Sequence, residues 1–185
     1  MRQHLAPLGA LAPVQHRRSA RWLIVGGLLL PAAVVGQTTG ALYLPEGWPR
    51  ADIGLAVALA WAWRRGRGEG VGLALGGGLL LDLASAAPLG LHVLALGLAL
   101  LLVESAGELL AGSWPGRLVA TVCAGALVHL VVLTGLWLRG WAIDWSRALA
   151  QATLPALGAD LVVGVVLYYL LGGLLGTSAA SGSAR

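Results

Sequence analysis

Long apolar runs separated by short polar breaks fill the chain, and their lengths predict helices rather than strands. The first run extends from Trp22 to Leu44, with Pro31 placed to kink it and Gln37, Thr38 and Thr39 making its second half polar. The others cover Ile53 to Trp63, Gly70 to Ala84, Leu89 to Leu110, Leu118 to Leu138 and Leu154 to Leu175. A helix rises about 1.5 Å per residue and a hydrocarbon core is about 30 Å thick, so a crossing takes roughly 17 to 25 apolar residues. The second and third runs fall short, which leaves tilting, local thinning or a partial crossing open for the second. Six crossings is the most economical count. The expected fold is an all-α integral membrane protein. A single six-helix domain over residues 21–175 lies between a basic arm, 1–20, and a tail, 176–185, both rich in small and polar residues and expected to be mobile.

Composition agrees with the pattern. Hydrophobic residues make up 58% of the sequence and charged residues 11%, with a mean hydropathy of +0.82, which excludes an ordinary soluble domain. A signal peptide competes for the first run, since Arg17, Arg18 and Arg21 precede it, but the largely apolar remainder favours an uncleaved first helix. The formal charge of +4 comes from Arg residues that flank the runs, where they serve orientation and lipid headgroups; no aromatic-interleaved basic surface for nucleic acid is present. Counted on alternate sides, Arg2, Arg17, Arg18, Arg21, Arg64, Arg65, Arg67, Arg117 and Arg185 oppose Arg50, Arg139 and Arg147. Both termini are therefore expected on the cytoplasmic face. Trp22, Trp61, Trp63 and Trp114 fall at the inner ends and Trp48, Trp137, Trp141 and Trp145 at the outer ones, as an aromatic belt requires.

Candidate chemistry is sparse. No nucleophile is paired with a base, and His92 and His129 sit on different runs outside any metal-ligand spacing, so neither catalytic nor metal residues nor a cofactor are expected. The lone Cys123 lies within an apolar run and reads as a packing residue. Gly76 to Gly78 has no following Lys and no preceding strand, which excludes a phosphate loop. Gly72 and Gly76 instead form a GxxxG face, with Ala74 and Gly78 a second small pair, and both predict close helix packing. Ala156, Asp160, Gly164, Tyr168 and Gly172 make a stripe at intervals of four that belongs inside a bundle. Asp160 would cost about 2.5 to 3.5 kcal/mol at a helix centre, so it needs a partner; Arg139, Arg147 and the hydroxyls of the first run are the candidates. Gln37, Asp160 and Tyr168 are thereby marked as a buried polar or partner site. Glu104 and Glu108 share a face and call for an Arg from the 64–67 cluster. The spacing of Trp137, Trp141 and Trp145 suggests a short interfacial helix, with Asp144 paired to Arg147, that either anchors to headgroups or docks a partner.

One order of features stands out: Gln37 near the end of the first run, Asp52 opening the second, Gly-Leu-Leu-Leu-Asp from Gly78 to Asp82, then Pro88, Leu89, Gly90, Leu91 and His92. Over roughly Gly36 to Leu110 this resembles the rod-shape-determining MreD family of bacterial inner-membrane proteins. The resemblance implies a noncatalytic component of the lateral cell-wall elongation machinery. Its partners would be an MreC-like scaffold and, indirectly, an MreB-like filament and the peptidoglycan synthases. It makes Asp52, Asp82, Pro88, Leu89, Gly90 and His92 the motif residues. From the residues themselves, Pro88 is expected in the first turn of a new helix and Asp82 within reach of water at the outer end of the third run. The family is similar in helix number and size to the substrate-binding subunits of energy-coupling-factor vitamin transporters. That supplies the alternative, a subunit holding a small molecule in an outward cavity near Asp160, Tyr168, Gln37 and Thr38.

Overall fold

The computed structural model describes residues 16–43, 45, 48–106 and 112–175, and among these every regular element is a helix. They are α1 (His16–Tyr43), α2 (Ile53–Arg65), α3 (Arg67–Ala84), α4 (Leu91–Ser105), α5 (Trp114–Leu138) and α6. The last starts as a turn at Trp145–Arg147, passes through a π-helical stretch, Ala148–Thr153, and continues as Leu154–Leu175. Helix α1 runs through Pro31 without a break and begins five residues inside the arm expected to be mobile. The rest of that arm, the tail 176–185 and Glu108 lie outside the described residues.

Two helices, Trp114–Leu138 and Trp145–Gly173, are long and apolar enough to cross a membrane. The apolar parts of α1 and α4, Ile24–Gly40 and Leu91–Ser105, are shorter. Shortest of all is α2, with 13 residues, about 20 Å of helix. It is also the best enclosed, with every residue from Gly54 to Ala62 buried. Helices α1, α3 and α6 pack directly on it, α4 and α5 touch it more lightly, and α3 and α5 both pack on α4. So α2 is the axis of the bundle, enclosed by the helices around it. Its sequence explains the position. Ala56, Ala58, Ala60 and Ala62 alternate with Leu55, Val57, Leu59 and Trp61, so small residues lie on every side and neighbouring backbones can come close.

The closest approaches are made by glycines on α3, in a different register from the GxxxG pair. A Cβ on Gly70 would strike Ala62 of α2, and one on Gly78 would lie 2.6 Å from Val93 Cα and 2.8 Å from the His92 carbonyl carbon of α4. Ala74, between them, is fully buried. Gly72 has open space around it and Gly76 meets only the tip of Leu30 at 3.5 Å. The packing stripe is therefore Gly70, Ala74 and Gly78, because α3 is gripped between α2 and α4 rather than by a single partner. On α6 the stripe of small residues does face inward: Ala156, Asp160 and Gly164 are buried, and Gly164 contacts Thr121 of α5. Cys123, by contrast, is exposed on the outer side of α5.

Between α5 and α6 the expected interfacial helix is not formed. The chain turns at Arg139 and Gly140, whose φ of 87° suits glycine, and stays irregular to Asp144. Asp144 then caps α6 by accepting from the Ser146 hydroxyl at 2.7 Å and the Arg147 amide at 3.1 Å, bonds that hold its carboxyl below the ordinary range. A cap, not an ion pair with the Arg147 guanidinium, is what Asp144 supplies. Trp137 and Trp145 meet edge to face across the turn, with ring centres 6.5 Å apart, while Trp141 stays exposed.

Candidate functional site: a polar cap at one end of the bundle

A helix leaves its first amide groups without intrahelical acceptors, and in a low-dielectric interior each needs one. Because α2 is short and enclosed, its N-terminus opens inside the protein. Side chains from three segments supply the acceptors. Asp52 Oδ1 accepts from the Leu55 amide at 3.0 Å, Gln37 Oε1 of α1 accepts from the Gly54 amide at 3.2 Å, and Asp160 Oδ1 of α6 accepts from the Asp52 amide at 2.6 Å. Asp52 and Asp160 are both buried, at 7% and 1% exposure, so these bonds form out of water, where a hydrogen bond is electrostatically stronger. The partner of Asp160 is thus the backbone amide of Asp52, the residue that caps α2, not Arg139, Arg147 or a hydroxyl of α1. Thr38 and Thr39 turn their hydroxyls back to carbonyls of α1 itself, those of Val34 and Val35.

Asp82 does the same for α4. It sits in the last turn of α3 with 2% exposure, so it is buried rather than in contact with water. Its Oδ2 accepts from the Gly90 amide at 2.8 Å and the Val93 amide at 3.3 Å, and its Oδ1 from the His92 amide at 2.8 Å. The His92 ring donates from Nδ1 to the same Oδ1 at 2.9 Å. An anion at a helix N-terminus also complements the helix dipole. Pro88 is not in the first turn of α4. It opens the preceding reversal, where its carbonyl accepts from the Leu91 amide at 3.1 Å and Gly90, at φ 91° and ψ −10°, takes the left-handed third position of a type II turn. Leu89, between them, is exposed. Every residue of the Asp-to-His motif thus builds one hairpin.

Beside these bonds lies a cavity of about 500 Å³, lined by Gln37, Arg50, Asp52, Ser85, His92 and His129 together with Leu81 and Val128, but not by Asp82 or Asp160. His129 donates from Nδ1 to the Gly125 carbonyl at 2.9 Å, within its own helix. Among the described residues no three His, Cys, Asp or Glu side chains converge as a metal set. Polarity, hydrogen bonding and room for a guest or a partner side chain are present, and no activated nucleophile is among them.

Tyr168 belongs elsewhere. Two turns beyond Asp160, it lies at the opposite end of the bundle, where its hydroxyl accepts from Arg117 Nη1 at 2.6 Å and its carbonyl from Arg64 Nη2 at 2.8 Å. Trp63 and Trp114 contact its ring there. Glu104 shares a cavity at this end with Arg64 and Arg117. Asp52 and Asp160 were visible in the sequence as acids beside apolar runs, but nothing in the sequence paired them, because 108 residues separate them.

No curated protein and no solved structure matches the chain. A family model, the rod shape-determining protein MreD, matches residues 16–177, from the first described helix to just past the last. With Asp82, Pro88, Gly90 and His92 joined in one hairpin inside the matched region, the chain belongs to the MreD family of rod shape-determining proteins.

Proposed function

We propose that this protein is a noncatalytic, multi-pass component of the bacterial inner-membrane machinery for lateral wall elongation, and that it binds an MreC-like scaffold. The observation that carries the reading is the use made of Asp82: its two oxygens accept from three amides at the start of α4 and from the His92 ring, which is a structural task. Six helices of alternating direction bring the ends of α1, α3 and α5 together with the starts of α2, α4 and α6, as successive crossings would. In the orientation that the Arg count favours, the polar cap faces outward and the Arg64–Arg117 end faces the cytoplasm, with both termini. Trp137, Trp141 and the outer leucines of α3 and α4, Leu79, Leu83 and Leu94, are exposed and available to lipid or to the single helix of a scaffold.

Depletion in a rod-shaped host should round the cells, and the tagged protein should carry the scaffold with it through purification in mild detergent. Unchanged cell width on depletion would remove the morphogenetic role. Failure to co-purify would remove the scaffold contact alone. The second reading, a vitamin-type binding subunit, is favoured by the size of the outer cavity, which falls in the range of about 300 to 1,000 Å³ that takes small molecules. A vitamin that stays bound through purification would decide for it.

A further inference from the structure

The cavity of about 500 Å³ beside the start of α2 has charges of both signs in its wall and an unspent edge on each of its two imidazoles. His92 lines it from α4 and His129 from α5. Each ring commits Nδ1 as a donor within the protein, His92 to Asp82 Oδ1 and His129 to the Gly125 carbonyl. Those bonds fix the tautomer of the neutral rings. Nε2 of each is left as an acceptor, with no hydrogen-bond partner among the described residues. Neither ring is sealed off, since the His92 side chain is 16% exposed and His129 is half-buried. Asp52 stands in the same wall, with Gln37 beside it, and of the roughly four lone-pair sites of a carboxylate the Leu55 amide takes one. Arg50, two residues earlier, is exposed and makes no ion pair among the described residues. Val132 and Leu133 continue the wall as an apolar side.

We propose that this cavity takes a primary ammonium joined to a phosphate, the headgroup of phosphatidylethanolamine. An ammonium brings N–H donors and no acceptor, the complement of a wall made of imidazole acceptors and a carboxylate. The phosphate falls to Arg50, whose guanidinium matches phosphate oxygens in geometry and keeps its charge in any surroundings. Arg50 and Asp52 cancel in charge, so a guest that is neutral overall leaves neither sign uncompensated. A trimethylammonium carries the same charge without an N–H and gains nothing from the imidazoles. Free phosphoethanolamine offers the same groups as the lipid. The apolar side of the cavity and the exposed Trp48, two residues from Arg50 and of a type that sits at headgroup level, favour a ligand that brings acyl chains with it. Such a site is compatible with a wall-elongation role and does not depend on it.

Native mass spectrometry of the full chain in mild detergent, titrated separately with phosphatidylethanolamine, phosphatidylcholine and phosphatidylglycerol, tests it. One phosphatidylethanolamine should be retained about tenfold more tightly than either of the others, the factor expected from one charge-assisted hydrogen bond. His129→Phe, which removes an acceptor and keeps a ring of similar size, should cut that preference several-fold. Arg50→Gln, at an exposed position, should weaken retention of all three lipids, because each has the phosphate. Size-exclusion profiles check that both variants stay folded, and the comparison of lipids on the native chain stands without them. Phosphatidylcholine or phosphatidylglycerol retained as tightly as phosphatidylethanolamine would overturn the ammonium assignment, as would a folded His129→Phe variant with an unchanged preference. A folded Arg50→Gln variant that holds the lipids as well as the native chain would overturn the phosphate assignment. If free phosphoethanolamine raises the melting temperature as much as the lipid does, the ligand is the soluble ester and the lipid assignment fails.

Discussion

Asp82 illustrates how a carboxylate in an apolar chain is satisfied without a cation. Three amides and an imidazole reach it, from Gly90, His92 and Val93, and together they close the reversal between α3 and α4. Asp82→Ala leaves those donors buried and should cost roughly 3 kcal/mol, read as a lower midpoint in denaturant titration of the detergent-solubilised protein. Asp160 is a contrasting case. Only Oδ1 is used, while Oδ2 has no hydrogen-bond partner among the described residues and abuts Gly125. An amide keeps the oxygen that Asp52 needs, so Asp160→Asn should lose about 1 kcal/mol or less, whereas Asp160→Ala should lose about 2 kcal/mol in the same titration. Equal losses in the two variants would mean that the bond to the Asp52 amide contributes nothing. The acids themselves were legible in the sequence as charges that need a reason. Their partners were not, because a backbone amide carries no mark in a sequence.

Among elements, α2 and α3 repay comparison. Its run fell short of a full crossing, as did that of α3, yet alanines on all sides let α2 take the axis, and its buried N-terminus is what draws in Gln37, Asp52 and Asp160. For α3 one of the two small pairs read from the sequence, Ala74 with Gly78, lies on the face that packs, and the GxxxG pair of Gly72 and Gly76 does not. Spacing alone cannot distinguish the Gly72 face from the Gly70 and Gly78 face, since both repeat every fourth residue. The two positions therefore predict opposite outcomes. Gly78→Ala would press a methyl group into the α4 backbone and should lower stability by about 1 to 3 kcal/mol or more, while Gly72→Ala meets open space and should gain up to about 1 kcal/mol of helix propensity. Thermal scans of the two variants side by side check the register, and a destabilised Gly72→Ala would contradict it.

For the whole molecule, the consecutive helices run in alternating directions, so the ends divide into two groups with different chemistry. Asp52, Asp82, Asp160, His92 and His129 gather at one end, and Arg64, Arg117 and Tyr168 at the other. Reporter fusions after Arg185 and within the Pro88 turn should report opposite sides of the membrane; the same side for both would break the six-crossing topology. Much of this was fixed by composition and periodicity. In hydrocarbon only helices and closed barrels satisfy the backbone, and uniformly apolar runs longer than the roughly 9 to 11 residues of a barrel strand select helices, while the spacing of the breaks sets their number and order. The tertiary structure alone decided which helix is central, which glycine face is gripped, and that Tyr168 stands with Arg64 and Arg117 instead of Asp160. Those outcomes depend on contacts between residues far apart in the chain, and local sequence encodes the need for a partner without encoding which partner arrives.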